Sequence, residues 1–271
     1  MPMRAADQAG AVRRRAAAVV RASGMRRPPF SPERYAVRCG VAAIVAALPP
    51  GAGGGNPEDG AARDGRGGRV VIRVDRRLPP HTPQWNGAVA LGLAGTLVPD
   101  DVTGEERRAL VEAAAAELLL PMAVFRPRAR RTDLTADGLR DLAAHFAAPL
   151  RLAARQWLSS GLWHGYALLW REDEGALRLR WRAASAGRFP PALRIGADAA
   201  GVWAPDSRLF ATCRTRRPHH GVEEVRTGAG TAWWFTRFAP VREDAGAAPA
   251  AVFAMVLLDA RGEGMPAGPS K

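Results

Sequence analysis

The sequence predicts an α+β fold, with a mainly helical section followed by a β-rich one. Up to about residue 160, apolar residues recur at spacings of three and four between helix-capping and helix-breaking residues. Beyond that point the helical period fades into short runs rich in β-branched and aromatic residues, and six of the eight tryptophans fall within residues 163–262. With 271 residues the chain is long enough for two modest domains, each with its own core.

Residues 1–30 carry seven arginines and a single acid, Asp7, and are expected to be a disordered basic arm. Such an arm can bind nucleic acid or an acidic surface, or it can be an unstructured leader with Met25 as an alternative first residue. Its net charge of +6 is nearly half of the +13 of the whole chain, and the remainder is spread too thinly to imply a nucleic-acid binder by itself. Arginine outnumbers lysine heavily, Lys271 being the one lysine, as in a GC-rich bacterial genome.

Residues 31–162 form the predicted helical domain. A first helix is expected over residues 32–48, ended by Pro49-Pro50, and a mobile glycine-rich loop over residues 51–68. Val70-Val71-Ile72-Arg73-Val74 is a short strand by its β-branched content. Residues 87–97 are small and apolar all round, as in a buried helix. Thr103 and Glu106 have the spacing of a capping box for a helix running to Leu120, with a short helix after Pro121. The segment 135–160 is a helix pair, carrying Leu139, Leu142 and Phe146 and then Leu150, Ala153, Ala154, Trp157 and Leu158. Such a pair is either a helix-turn-helix or two helices that only pack together.

Residues 163–262 form the predicted β-rich domain, and residues 263–271 a tail. Strands are expected over 165–170, 176–183, 209–214, 221–226, 232–238 and 251–258, as one antiparallel sheet. Glu172-Asp173-Glu174-Gly175 is the turn of the first hairpin. Trp203, Phe210, Trp233 and Phe235 are candidates to line a ligand pocket, the alternative being that they form the core of this domain. Adjacent Trp233 and Trp234 must point to opposite faces of a strand.

Several function classes are excluded or disfavoured. The two cysteines, Cys39 and Cys213, allow neither a disulfide framework nor a C-x-x-C metal site, which suits a reducing compartment. The longest apolar run, residues 41–48, falls well short of the ~20 residues that a membrane helix needs. Arg13-Arg14-Arg15 interrupts any secretory apolar region, so a cytoplasmic protein is expected.

Between residues 70 and 162 the order of elements resembles the ImmA/IrrE family of bacterial zinc metallopeptidases. Val70 to Val74 with Leu78-Pro79-Pro80 matches the strand and turn that precede that family's metal-binding helix. Ala115-Ala116-Glu117-Leu118-Leu119-Leu120-Pro121 matches its A-x-L-L-M-P segment, and Leu142-Ala143-Ala144-His145-Phe146 with Arg155 through Gly161 matches its helix pair. The resemblance implies a mainly helical zincin-like domain with a short sheet and a helix pair. Members linked to radiation and desiccation stress carry a GAF-like sensor domain after it, which residues 163–262 fit in position and length.

The chemistry of that family is missing. Two imidazoles one helical turn apart hold zinc, and the glutamate between them activates the metal-bound water. Here the aligned positions hold Leu91, Gly92 and Gly95, and the downstream ligand position holds Arg108. The resemblance therefore implies zinc for the family but no metal, no catalytic residues and no cofactor for this chain. The expected function is non-catalytic: a regulator that binds a protein partner, such as a helix-turn-helix repressor, under control of a ligand-sensing second domain. Leu and Gly at those positions also suggest a cleft filled by tight packing. Two alternatives remain open. One is an active metallo-endopeptidase with a site rebuilt from His81, His145, His164, His219 or His220 and Glu105, Glu106 or Glu112. The other is a DNA-binding regulator using the helix pair and the arginine-rich arm.

Overall fold

The protein is α+β. The structure, a computed structural model, describes residues 2–47, 62–64, 70–185, 198–227, 230–241 and 251–257. The chain divides into two compact units: residues 1–133 with 138–156, and residues 134–137 with 157–271. The division lies within a helix, between Gln156 and Trp157, ahead of the expected boundary at residue 162.

The first unit opens with helix α1, Pro2–Ala22, where the sequence suggested a disordered arm. Val12, Ala16 and Val20 recur every four residues and are all buried, and α1 packs on helix α3, Gly104–Leu119. Arg13, Arg14 and Arg15, part of the basic composition that suggested disorder, lie beside this apolar stripe and do not interrupt it.

The helix expected over residues 32–48 is also corrected. Two short 3-10 turns, Pro32–Tyr35 and Val37–Cys39, lead into strand β1, Val41–Ala47. β1 runs parallel to β3, Val70–Asp75, whose other edge takes β2, Ala62–Asp64, antiparallel. Pairing with β3 and the β-branched Val41, Ile44 and Val45 override the weak helical spacing. Pro49-Pro50 and most of the glycine-rich loop, apart from β2, lie outside the described residues, as does the tail 263–271.

Helix α2, Pro83–Gly95, follows β3 and is buried over most of its length, as its composition predicts. α3 begins at Gly104 after Thr103, but the Thr103 side chain makes no capping hydrogen bond, so the expected capping box is not formed. α4, Met122–Ala129, follows Pro121, and the helix pair is α5, Ala136–His145, and α6, Leu150–Ser159. Phe30 and Phe125 both pack on Phe146, with ring centroids 6.3 and 5.7 Å apart, at the aromatic centre of this unit's core.

The second unit holds one antiparallel five-stranded sheet in the order β5-β4-β8-β7-β6. Its strands are β4, Gly165–Asp173; β5, Ala176–Ala184; β6, His219–Thr227; β7, Gly230–Val241; and β8, Ala251–Leu257. Glu174 and Gly175 both adopt left-handed conformations in the β4–β5 turn, as a two-residue hairpin loop with right-handed strand twist requires. The third expected strand, residues 209–214, is instead part of helix α8, Arg208–Thr215, which follows the short helix α7, Ala199–Val202. Leu209 and Thr212, three residues apart, form its buried side. α7, α8 and one face of the sheet enclose a core that includes Trp170, Trp203, Leu209, Trp234 and Phe238.

Candidate functional site: the helix after strand β3

Strand β3 feeds a tight connection into α2. At its end Asp75, 1% exposed, accepts hydrogen bonds from the Arg77 backbone N–H and guanidinium, and this bonding holds its carboxyl below the ordinary range. His81 has a left-handed backbone and an exposed side chain. Thr82 then caps α2, its hydroxyl oxygen accepting from the Trp85 N–H at 3.3 Å. Trp85 donates its indole N–H to Glu33 at 2.7 Å, which ties the start of α2 to the first 3-10 turn.

Two neighbouring residues lock α2 against the α5–α6 turn. Asn86 donates its side-chain amide to the Ala147 carbonyl at 2.9 Å. Gly87 lies so close to Pro149 that a Cβ there would sit 2.3 Å from its Cγ. Gly87→Ala is therefore expected to cost about 1–3 kcal/mol as an overpacked contact. A lower urea midpoint with an unchanged slope would show it. At the other end of α2, Arg107 donates to the carbonyls of Gly95 (3.1 Å) and Pro99 (2.8 Å), and Arg15 of α1 donates to that of Leu97 (3.1 Å). These guanidinium groups satisfy carbonyls at and just beyond the helix end and complement its partial negative charge.

Leu91 and Gly95 stand one turn apart with Gly92 between them, and all three keep intermediate exposure. The expected filling of the cleft is thus incomplete at these positions. Arg108 is exposed on α3, as are Glu105 and Glu106. Glu112 is buried and already paired with the Arg155 guanidinium. Side chains that lack donor atoms cannot bind zinc, so the residues here do not fit the metal that the family resemblance implies. Among the described residues no three His, Cys, Asp or Glu side chains come together as a metal site. His145, His164 and His220 are exposed, and His219 Nδ1 lies 3.0 Å from Thr212 Oγ1 and 2.9 Å from the Arg217 carbonyl oxygen.

Between α3 and α6 lies a buried polar cluster that sequence reasoning did not single out. Glu117 of α3 accepts from Gln156 of α6 (2.9 Å) and from the Met122 N–H (3.1 Å). Burial pushes its carboxyl above the ordinary range, while these hydrogen bonds and the charge of Arg13 on α1 oppose the shift. The signal was present in the sequence: Glu112 and Glu117 punctuate an alanine- and leucine-rich run whose composition marks it as buried all round.

The four aromatic candidates of the second unit do not form one pocket. Trp203 is fully buried and packs edge-on against Phe238 at 5.2 Å, and Phe210 packs on the same core. Trp233 is 43% exposed, and it alternates with buried Trp234 along β7, so it and Phe235 belong to the opposite sheet face.

No family model matches the chain, and no curated protein matches it in sequence. Among solved structures it is similar to a Mycobacterium tuberculosis transcriptional regulator, with a TM-score of 0.56 and 18% identity, over 96% of this chain and 92% of that one. At that identity the likeness is one of fold, and it extends through both units.

Proposed function

We propose that the protein is a non-catalytic regulator of transcription that acts by binding a protein partner, with its second unit receiving a small-molecule signal. The observation that carries this reading is the face of α2. There Leu91, Gly92 and Gly95 occupy the positions at which the ImmA/IrrE resemblance calls for two imidazoles and a general base. A scaffold without donors at those positions can hold a partner without cutting it. The fold likeness to a transcriptional regulator supports the same reading.

The second unit supports a sensing role through two buried donors. The indole N–H groups of Trp170 and Trp203 lie inside the core between the sheet and its helices, with no acceptor among the described residues. Buried donors are normally satisfied, and a ligand carbonyl or carboxylate would satisfy these. Burial along the helix pair, by contrast, gives little support to a DNA-reading role. Leu152, Ala153, Ala154, Gln156, Trp157 and Leu158 of α6 are buried, and its Arg155 and Gln156 reach inward to Glu112 and Glu117. A recognition helix must offer such side chains to base edges.

The test is a capture experiment on full-length protein in lysate of its native host. The captured protein is then incubated with the purified chain in the presence of zinc. The expected outcome is a helix-turn-helix repressor recovered at full length, with substoichiometric zinc on the purified chain by mass spectrometry. Stoichiometric zinc that survives dialysis, together with cleavage of the captured protein, would overturn the proposal.

A further inference from the structure

The segment that leaves α1 is strongly basic. Residues 21–40 carry Arg21, Arg26, Arg27, Arg34 and Arg38 against one carboxylate, Glu33. Glu33 is already engaged, accepting from the Ser31 hydroxyl at 2.7 Å and from the Trp85 indole N–H at 2.7 Å. Arg26, Arg27 and Arg34 are exposed, and none forms an ion pair with a described residue. All three line a single open cavity of about 470 Å³ together with Gly24, Met25, Pro29 and Ser31.

The three arginines that line this concavity concentrate positive charge there, and an anion would offset it. Each guanidinium presents a planar fork of N–H donors whose spacing matches two oxygens of a phosphate, which makes arginine the preferred residue for that group. The volume is within the range of small-molecule sites and is large enough for a diphosphate. The space beside Gly24 is open, since a Cβ there would meet nothing within 4 Å.

We propose that the cavity lined by Arg26, Arg27 and Arg34 is a phosphate-binding site. This goes beyond the partner-binding reading above and does not depend on it. The phosphates can belong to a small phosphorylated molecule or to the backbone of a nucleic acid. Both present the same oxygens, and the experiment separates them.

The probe is inorganic pyrophosphate, titrated into the full chain by calorimetry at low ionic strength. Saturable binding is expected, weakened about tenfold or more in R26A/R27A/R34A through loss of charge-assisted hydrogen bonds. The thermal midpoint of that variant should be unchanged, because the three side chains are exposed. A control, R126A/R128A/R130A, removes the same charge from exposed positions at α4 and should leave affinity within about twofold. A labelled DNA duplex that competes with pyrophosphate identifies a nucleic-acid backbone as the source, and a duplex that does not compete identifies a small phosphorylated ligand. Three results overturn the proposal: no binding of pyrophosphate, equal losses in the two triple variants, or equal affinity for pyrophosphate and succinate.

Discussion

A chain beginning at Met25 is expected to lose a large share of the stability of its first unit. Val12 and Val20 are buried on α1, and each such side chain contributes about 1.5–3 kcal/mol relative to exposure. With Ala16 and the face of α3 uncovered as well, the loss is on the order of 5 kcal/mol, against a total of about 5–15 for an ordinary domain. Deletion also removes Arg13, whose charge opposes the burial penalty on Glu117, and Arg15, which binds the Leu97 carbonyl beyond the end of α2. Thermal unfolding of the two chain lengths measures the effect, and Val12→Asp in the full chain should reproduce much of it. Equal melting temperatures for the long and short chains would mean that α1 is dispensable, and the description of α1 as part of the core would fail.

The second large effect is expected at the pair between Glu112 and Arg155. The Glu112 side chain is 8% exposed and that of Arg155 18%, so either one left alone is a charge held away from water. Breaking such a pair from one side costs about 3–5 kcal/mol, whereas replacing both partners by apolar residues of similar volume is often neutral. Arg155→Met and Glu112→Leu should each lower the urea midpoint strongly, and the double variant should recover most of the loss. A double variant as unstable as the two singles combined would show that the groups act independently and that the ion pair is not what holds α6 to α3.

Elements whose local signals agree with their tertiary setting were legible in the sequence. Residues 70–74 and 87–97 contain a strand and a helix as composition suggests, and the Glu174-Gly175 hairpin follows from its turn residues. Misreadings arose where a partner decides the structure. β1 is a strand because β3 offers it a parallel edge, which no local window reveals. Residues 209–214 read as a strand, yet Leu209 and Thr212 form the buried side of a helix laid on the sheet core. In α1 a basic, acid-poor composition suggests disorder, yet a regular apolar stripe lets the segment pack as a helix. The identities of Leu91, Gly92 and Gly95 are enough to show that these three side chains offer no metal-ligating atom, whatever their surroundings. The aromatic candidates could not be read from identity alone, since the sheet face that each residue takes depends on strand register.

The strand order of the second unit bears on how that unit is made. β8 lies between β4 and β7, so residues 251–257 join two hairpins that otherwise share no edge. On the ribosome the earlier strands must wait, with open backbone edges, until this last segment emerges to close the gap. Premature termination before Ala251 would leave two separate ribbons and a core lacking Val252, Ala254 and Val256, a species suited to aggregation and to rapid proteolysis.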